Sequence, residues 1–259
     1  MALSALGGMP HVPQLLEVAV PSNSNTIAMK YYPNNSLFDH LEALQRRTGV
    51  VEGIPEALVK RFILQLLNCC ANCHAMGYAH MDIKGENIFL DENFDLVLGD
   101  WGLCQRLLSS DPLQEGEFEH RGTPGYMAPE LFDRSRRSGC GVGRSRYNPR
   151  KADAWSIAAL AFALRFGSTP FGESGPKQGS WHHDVIAKGE REKFWAYHLA
   201  AVEGGEEVEA SPATRAFFDR CFTLSVDERP LVEDLLEDNW LNTDVMSTED
   251  CIAYMQSLQ

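Results

Sequence analysis

The stretch His80-Met81-Asp82-Ile83-Lys84-Gly85-Glu86-Asn87 brings a carboxylate, an ammonium and a carboxamide into one short segment. Asp100-Trp101-Gly102 follows, and Ala128-Pro129-Glu130 stands further on. An aspartate in such a set can take up a proton. Carboxylate and carboxamide oxygens suit a hard cation such as Mg2+. Taken singly, each of these residues reads as an ordinary polar loop residue. Their order is what carries information. The apolar runs Ile88-Phe89-Leu90 and Leu96-Val97-Leu98 flank Asp91-Glu92-Asn93 and read as a small hairpin. That hairpin would bring the two polar loops onto one surface.

The elements that must hold this surface follow from periodicity and caps. Val12 to Val20 and Thr26 to Tyr31 read as short strands joined by the turn-rich Pro21-Ser22-Asn23-Ser24-Asn25. Ser36 caps an expected helix through about Thr48, with Leu37, Leu41 and Leu44 on one face. Pro55, placed in a first turn, opens a longer one carrying Leu58, Val59, Phe62, Ile63, Leu66 and Leu67, and Gly77 fits its stop. Residues 152–166 are apolar nearly all round and predict a buried helix. Ser211-Pro212 opens a helix with Phe217, Phe218, Cys221 and Phe222, and Pro230 opens the last clear one, through Leu235, Leu236 and Trp240.

Composition narrows the function classes. The formal net charge of −13 argues against general nucleic-acid binding. The apolar run Ala158 to Phe166 is too short for a bilayer and contains Arg165. Met1 to Met9 lacks a basic segment, so no signal peptide is expected. Seven cysteines without a secretory signal read as reduced thiols, placing the expectation in the cytoplasm or nucleus. Cys70-Ala71-Asn72-Cys73 has no partner pair nearby, which favours helix packing over zinc or redox chemistry. Between Asp133 and Lys151 the charge turns basic, with Arg134, Arg136, Arg137, Arg144, Arg146 and Arg150. That loop reads as a solvated, mobile insertion ahead of a dock for acidic or phosphorylated partners. Glu203 to Glu209 reads as a solvated acidic loop.

The three polar segments resemble, in order, the H-R-D-x-K-x-x-N, D-F-G and A-P-E segments of eukaryotic serine/threonine protein kinases. The resemblance covers most of the chain and implies an α+β, kinase-like fold. It divides the chain into 1–32, a remnant of the upper lobe (end of its helix, its fourth and fifth strands) with the hinge, and 33–259, the helical lower lobe. It implies ATP and Mg2+ as cofactors. Asp82 would be the catalytic base, Lys84 would lie against the transferring phosphate, and Asn87 and Asp100 would hold the metal. Met29, as gatekeeper, with Tyr31 and Glu86, would complete the nucleotide site together with Lys84, Asn87 and Asp100. Thr123 of Gly122-Thr123-Pro124-Gly125-Tyr126 would bond Asp82 and Lys84. Asp153 would cap the catalytic-loop backbone, and Glu130 would pair with Arg229 of Asp227-Glu228-Arg229-Pro230.

The departures are as informative. The family covers ATP with a G-x-G-x-x-G loop and grips its phosphates with an upper-lobe lysine paired to a helix glutamate. No Lys or Arg precedes Lys30, and Glu17 is the only acid before Asp39. Gly139-Cys140-Gly141-Val142-Gly143 is glycine-rich but lies after Glu130 and reads as a flexible loop. Losing one preorganised charge-stabilising group typically costs roughly a hundred- to a thousandfold in rate. Residues 1–30 are therefore expected to be loosely held or to pair with another chain. Met81 stands where the family has arginine, so no phosphorylation switch of the usual kind is expected in the activation segment. Trp101 replaces phenylalanine, a swap that can still pack, and Gly85 replaces a common proline. Three readings follow: a working kinase acting on protein Ser/Thr hydroxyls, a kinase-like binding module that pairs with a second kinase chain or competes for substrates, or one piece of a longer kinase.

Overall fold

Caps and apolar spacing set the elements throughout the computed structural model, which describes residues 2–19, 26–49, 53–107, 114–117, 122–132, 144–173, 175–200 and 209–258. Helix α1 (Ala2–Leu6) leads into strands β1 (Leu15–Ala19) and β2 (Thr26–Met29), an antiparallel pair with Val18 opposite Ile27 and Leu15 opposite Met29. Helix α2 (Leu37–Thr48) starts at Ser36, whose Oγ accepts from the Asp39 amide while Asp39 Oδ2 accepts from the Ser36 amide. This reciprocal capping satisfies two amides that a helix end leaves open. Helix α3 (Glu56–Ala75) follows, with Pro55 as the residue before it rather than inside its first turn. It ends before Gly77, whose φ of +86° needs a residue without a Cβ.

The polar loops hang from short strands. β3 (Tyr78–Ala79) precedes the first loop, and β4 (Ile88–Leu90) pairs with β5 (Leu96–Leu98) in the expected hairpin, Phe89 opposite Val97. β6 (Gln105–Arg106) returns to pair with β3, and β7 (Gln114–Glu117) pairs with β8 (Arg144–Tyr147). Each sheet among the described residues has two strands. Residues 133–143 and 201–208 lie outside the described residues, and with them most of the basic loop and of the acidic one. The described end of the basic loop is the strand β8, not an unstructured insertion.

Helix α4 (Pro149–Phe166) is the axis of the core, buried on nearly every face. It begins earlier than the apolar run because Asn148 Oδ1 accepts from the Arg150 and Lys151 amides. α3 packs against α4 and against α8 (Val232–Leu236), while α7 (Pro212–Cys221) packs on α4, α6 (Arg191–Leu199) brings Phe194 and Trp195 to Phe162 of α4, and α5 (Trp181–Ala187) packs against α6. Trp155 stacks on Phe171 at 5.0 Å, and Phe162 meets Phe218 edge-on at 5.3 Å. Burying such rings supplies most of the driving force for this lobe. Cys69, Cys70 and Cys73 lie buried in α3 as free thiols; burial raises the pKa of Cys70, and a hydrogen bond with Cys73 followed by burial raises that of Cys69.

Two expectations need correcting. The helix after Pro230 does not reach Trp240. α8 stops at Leu236, and Trp240 is held instead by its amide on Asp238 Oδ1 and its indole on Glu56 Oε1 at 2.9 Å. A further helix, α9 (Thr248–Ser257), follows, with Cys251 and Met255 buried. Residues 1–30 are not uniformly loose. Leu3, Leu6 and Val12 belong to the main core, and the His11 carbonyl accepts from the Leu98 amide at 2.8 Å. The β1–β2 hairpin, by contrast, is exposed along most of its length.

Candidate active site

The loop from His80 to Asn87 is held from beneath by one carboxylate. Asp153, in α4, accepts from the His80 amide through Oδ2 and from the Met81 amide through Oδ1, both at 2.8 Å. His74, at the end of α3, bonds Oδ2 as well, at 2.8 Å. Met81 has φ of +70°, a left-handed conformation uncommon for a residue with a Cβ. The two bonds from adjacent amides are what keep it there. The pivot of the loop is therefore a buried ion-dipole contact that links α3, α4 and β3.

His80 carries the contact onward. Its Nδ1 accepts from the Asp82 amide at 3.2 Å, so its Nε2 bears the hydrogen and donates to the Gly99 carbonyl at 2.8 Å. Burial holds the His80 pKa below the usual histidine value, which suits a neutral ring with one donor and one acceptor. This histidine thus ties the first polar loop to the second.

Above it, four side chains close on one another. Asn87 Nδ2 donates to the Asp82 carbonyl at 2.8 Å and to Asp82 Oδ2 at 3.1 Å. Lys84 Nζ lies 3.2 Å from Asp82 Oδ2 and donates to Thr123 Oγ1 at 2.8 Å. The Thr123 amide and hydroxyl both donate to Asp82 Oδ1, each at 3.1 Å. Asp82 is 9% exposed, so its carboxylate sits at the base of the loop with both oxygens engaged. Gly122 enters this corner at φ of +110°, with the Met81 carbonyl and Met127 closing on it.

Asp100 is the exposed member of the set, at φ of +47°, and its Oδ1 accepts from the Gly102 amide at 3.2 Å. Trp101, behind it, is buried, donates through Nε1 to the Leu98 carbonyl at 2.8 Å and meets His80 edge-on at 4.8 Å. The donor set fits Mg2+. Asn87 spends its NH2 on two oxygens, which leaves its carbonyl oxygen as the free ligand, and Asp100 adds an exposed carboxylate.

The expected site residues separate into two groups. Asp82, Lys84 and Asn87 meet directly, and Asp100 joins them through Gly99 and His80. Glu86 is exposed beside Tyr126, whose hydroxyl pKa is pushed up first by burial and then by the Glu86 charge. Met29 and Tyr31 are 43% and 77% exposed, and among the described residues no hydrogen bond joins them to the loop from His80 to Asn87. The segment after Thr123 is anchored as expected: Arg229 Nη1 and Nη2 donate to Glu130 Oε1 and Oε2 at 2.7 and 2.8 Å, with both residues buried. Arg229 also lies over the Trp155 ring at 4.8 Å. Sequence reasoning missed His74, and a lone histidine at a helix end gives no signal for such a partner. Arg150 and Lys151, counted with the basic loop, instead tie α4 down through the His74 and Asp227 carbonyls.

The sequence model of the protein kinase domain family matches residues 2–241, and the chain belongs to that family. It is similar to CBL-interacting protein kinase 4 of Oryza sativa subsp. japonica, 34% identical over 167 residues, 64% of this chain and 33% of the relative. CBL-interacting protein kinase 22 of the same species is 32% identical over 220 residues, 83% of this chain and 44% of the relative. CBL-interacting serine/threonine-protein kinase 20 of Arabidopsis thaliana is 33% identical over 165 residues, 63% of this chain and 33% of the relative. The chain thus spans less than half the length of these serine/threonine kinases. The α+β fold dominated by a helical lower lobe accords with that family. Among the described residues no helix is long and apolar enough to cross a membrane.

Proposed function

We propose that residues 80–102 and 122–130 form the lower half of a phosphoryl-transfer site. It would move the γ-phosphoryl group of ATP to a Ser or Thr hydroxyl of a protein substrate. The observation that carries this reading is the closed set of bonds among Asp82, Lys84, Asn87 and Thr123. Phosphoryl transfer asks mainly for positioning and charge neutralisation, and this set supplies both. Asp82 orients the substrate hydroxyl and takes its proton as the oxygen–phosphorus bond forms and the bond to the bridging oxygen of ADP breaks. Lys84, held by Thr123, offers its ammonium to the moving phosphoryl group. Asn87 and Asp100 would hold Mg2+, which when bound neutralises the phosphate charge. Met29 and Tyr31 would face the nucleotide base from the hinge, with Glu86 at the ribose and peptide side. In this reading residues 1–32 are upper-lobe and hinge structure, and 33–259 are the lower lobe. No Lys or Arg precedes Lys30, so the upper-lobe lysine that grips the phosphates has no counterpart among these 259 residues, and transfer by them would be slow.

A second reading, a kinase-like binding module, draws on a specific feature. Leu16, Val18, Ile27 and Met29 are all exposed on the hairpin, and no Lys or Arg precedes Lys30. A second kinase chain seated there would cover the apolar face. Melting the chain with ATP, with and without Mg2+, separates the readings. The catalytic reading expects a rise in Tm with Mg·ATP that exceeds the rise with metal-free ATP and disappears in Asp100→Asn. Absence of any metal-dependent rise would favour the binding module.

A further inference from the structure

Strand β8 pairs with β7, so a stretch that follows Glu130 holds one that precedes Gly122. The register sets Glu115 opposite Arg146, Gly116 opposite Ser145 and Glu117 opposite Arg144. Successive residues of a strand alternate between its two faces. Glu115 and Glu117 therefore share one face of the pair with Arg144 and Arg146, and Tyr147 falls on the other. Tyr147 is buried in the main core, and its hydroxyl bonds Gln105 Oε1 in β6. The end of β8 is fixed as well, since Asn148 caps α4 immediately after it. β8 is thus the anchored strand, and β7 is the one it captures. Opposite charges directly across an antiparallel pair attract, and like charges repel. One such pair at a surface contributes little. Two in a single short register favour that register over its slipped alternatives.

From this we infer that β7 and β8 form a charge-matched latch, which holds the chain between Gly102 and Gly122 in place without a phosphate group. Met81, buried and uncharged, offers nothing that a phosphate could neutralise. The acidic partner of Arg144 and Arg146 is a segment of the same chain. Their half of the basic loop is a fastening rather than a dock for another protein. Beyond β7 the chain reaches Thr123, whose amide and hydroxyl both donate to Asp82 Oδ1. Tying the chain at β7, a few residues ahead of Thr123, restricts the conformations that would withdraw Thr123 from Asp82. The latch therefore sets one of the groups that orient the Asp82 carboxylate, whatever reaction that carboxylate serves.

Hydrogen exchange on the phosphatase-treated 259-residue chain tests this, with no ATP or metal present. In the wild type the bonded amides of β7 and the Thr123 amide should be protected. Arg144→Glu with Arg146→Glu sets like charges opposite each other. Exchange at β7 and at Thr123 should then rise roughly tenfold, while α3 and α4 stay protected. Adding Glu115→Arg and Glu117→Arg restores opposite charges in the same register and should restore protection. Rapid exchange of β7 in the phosphatase-treated wild type, or no change in the doubly reversed variant, would overturn the latch. A fourfold variant as exposed as the double one would overturn the charge match as its source. Faster exchange at β7 with Thr123 unaltered would overturn its hold on Asp82. Should the reversed variant not fold, salt on the wild type decides. At about 1 M NaCl the pairs are screened, and β7 should exchange faster. Unchanged exchange there would overturn the latch. Because nothing in this readout depends on phosphoryl transfer, it fails or succeeds separately from the catalytic reading.

Discussion

The floor of the proposed site and the β1–β2 hairpin are held in opposite ways. The floor fixes its polar groups with buried partners drawn from distant parts of the chain: Asp153 under the His80 and Met81 amides, His80 under Gly99, Arg229 on Glu130. The hairpin has a register but no cover, and its large apolar side chains face outward. A two-stranded sheet in water is marginal without a packed face. The contrast teaches where this chain's chemistry is preorganised. The groups that would meet phosphate, metal and hydroxyl are set by the fold, whereas Met29 and Tyr31, which would meet the nucleotide base, are not.

If the floor depends on buried polar contacts, removing one should be severe. Asp153→Ala leaves two buried amides and His74 without their acceptor and releases left-handed Met81, so it should cost about 5 kcal/mol or prevent folding. Urea denaturation measures this, and a loss under 1 kcal/mol would break the contrast. Arg229→Met strands the buried Glu130 carboxylate and should cost roughly 3–5 kcal/mol, while the double variant with Glu130→Leu should recover part of that loss. A double variant no better than the single one would mean that the ion pair is not the source of the cost.

A pH series sharpens the picture of the same lobe. His198 Nε2 donates to the Pro170 carbonyl at 3.0 Å, and its ring packs against Phe162 and Phe194. Burial, with His182 close by, pushes its pKa down to about 4. An unfolded histidine titrates near about 6.5. Between these values the unfolded state holds more protons, so stability is full above pH ~6.5 and declines as pH falls toward ~4. The decline should reach on the order of 3 kcal/mol, and His80 and His182, shifted the same way, add to it. His198→Gln, which keeps a donor for Pro170, should flatten the profile. An unchanged slope would remove His198 as its source. The smallest effect belongs to the hairpin: Val18→Thr with Ile27→Thr should alter stability by no more than about 0.5 kcal/mol. A loss above 2 kcal/mol would show that this face is covered in solution.

Much of the fold was legible because its signals are local. Ser36 and Ser211 cap helices where expected, and the Ile88–Leu98 hairpin follows from two apolar triplets around a turn. The α9 start also has a local signal, the capping pattern Ser247-Thr248-Glu249-Asp250, and in the fold the Ser247 side chain accepts from the Asp250 amide. α6 offered little, with Phe194 and Trp195 adjacent rather than at helical spacing. Within the site, the order of the polar motifs pointed to Asp82, Lys84, Asn87 and Asp100. The contacts that hold them did not show in the sequence. His74 and Asp153 lie 79 positions apart and His80 reaches Gly99 across 19, and only the folded chain brings such pairs together. The indole bond of Trp101 was hidden for another reason: the residue type suggested packing, and its donor finds a use only once the turn at Asp100 forms.

The central claim is that the lower-lobe set performs phosphoryl transfer. The most direct measurement is transfer of labelled γ-phosphate from Mg·ATP to a basic, serine-containing protein by the 259-residue chain, beside Asp82→Asn. The account predicts Mg2+-dependent transfer that is slow, for want of the phosphate-gripping lysine, and that drops by roughly a hundredfold or more in the variant. Transfer equal in the two proteins, or none in either, would contradict it.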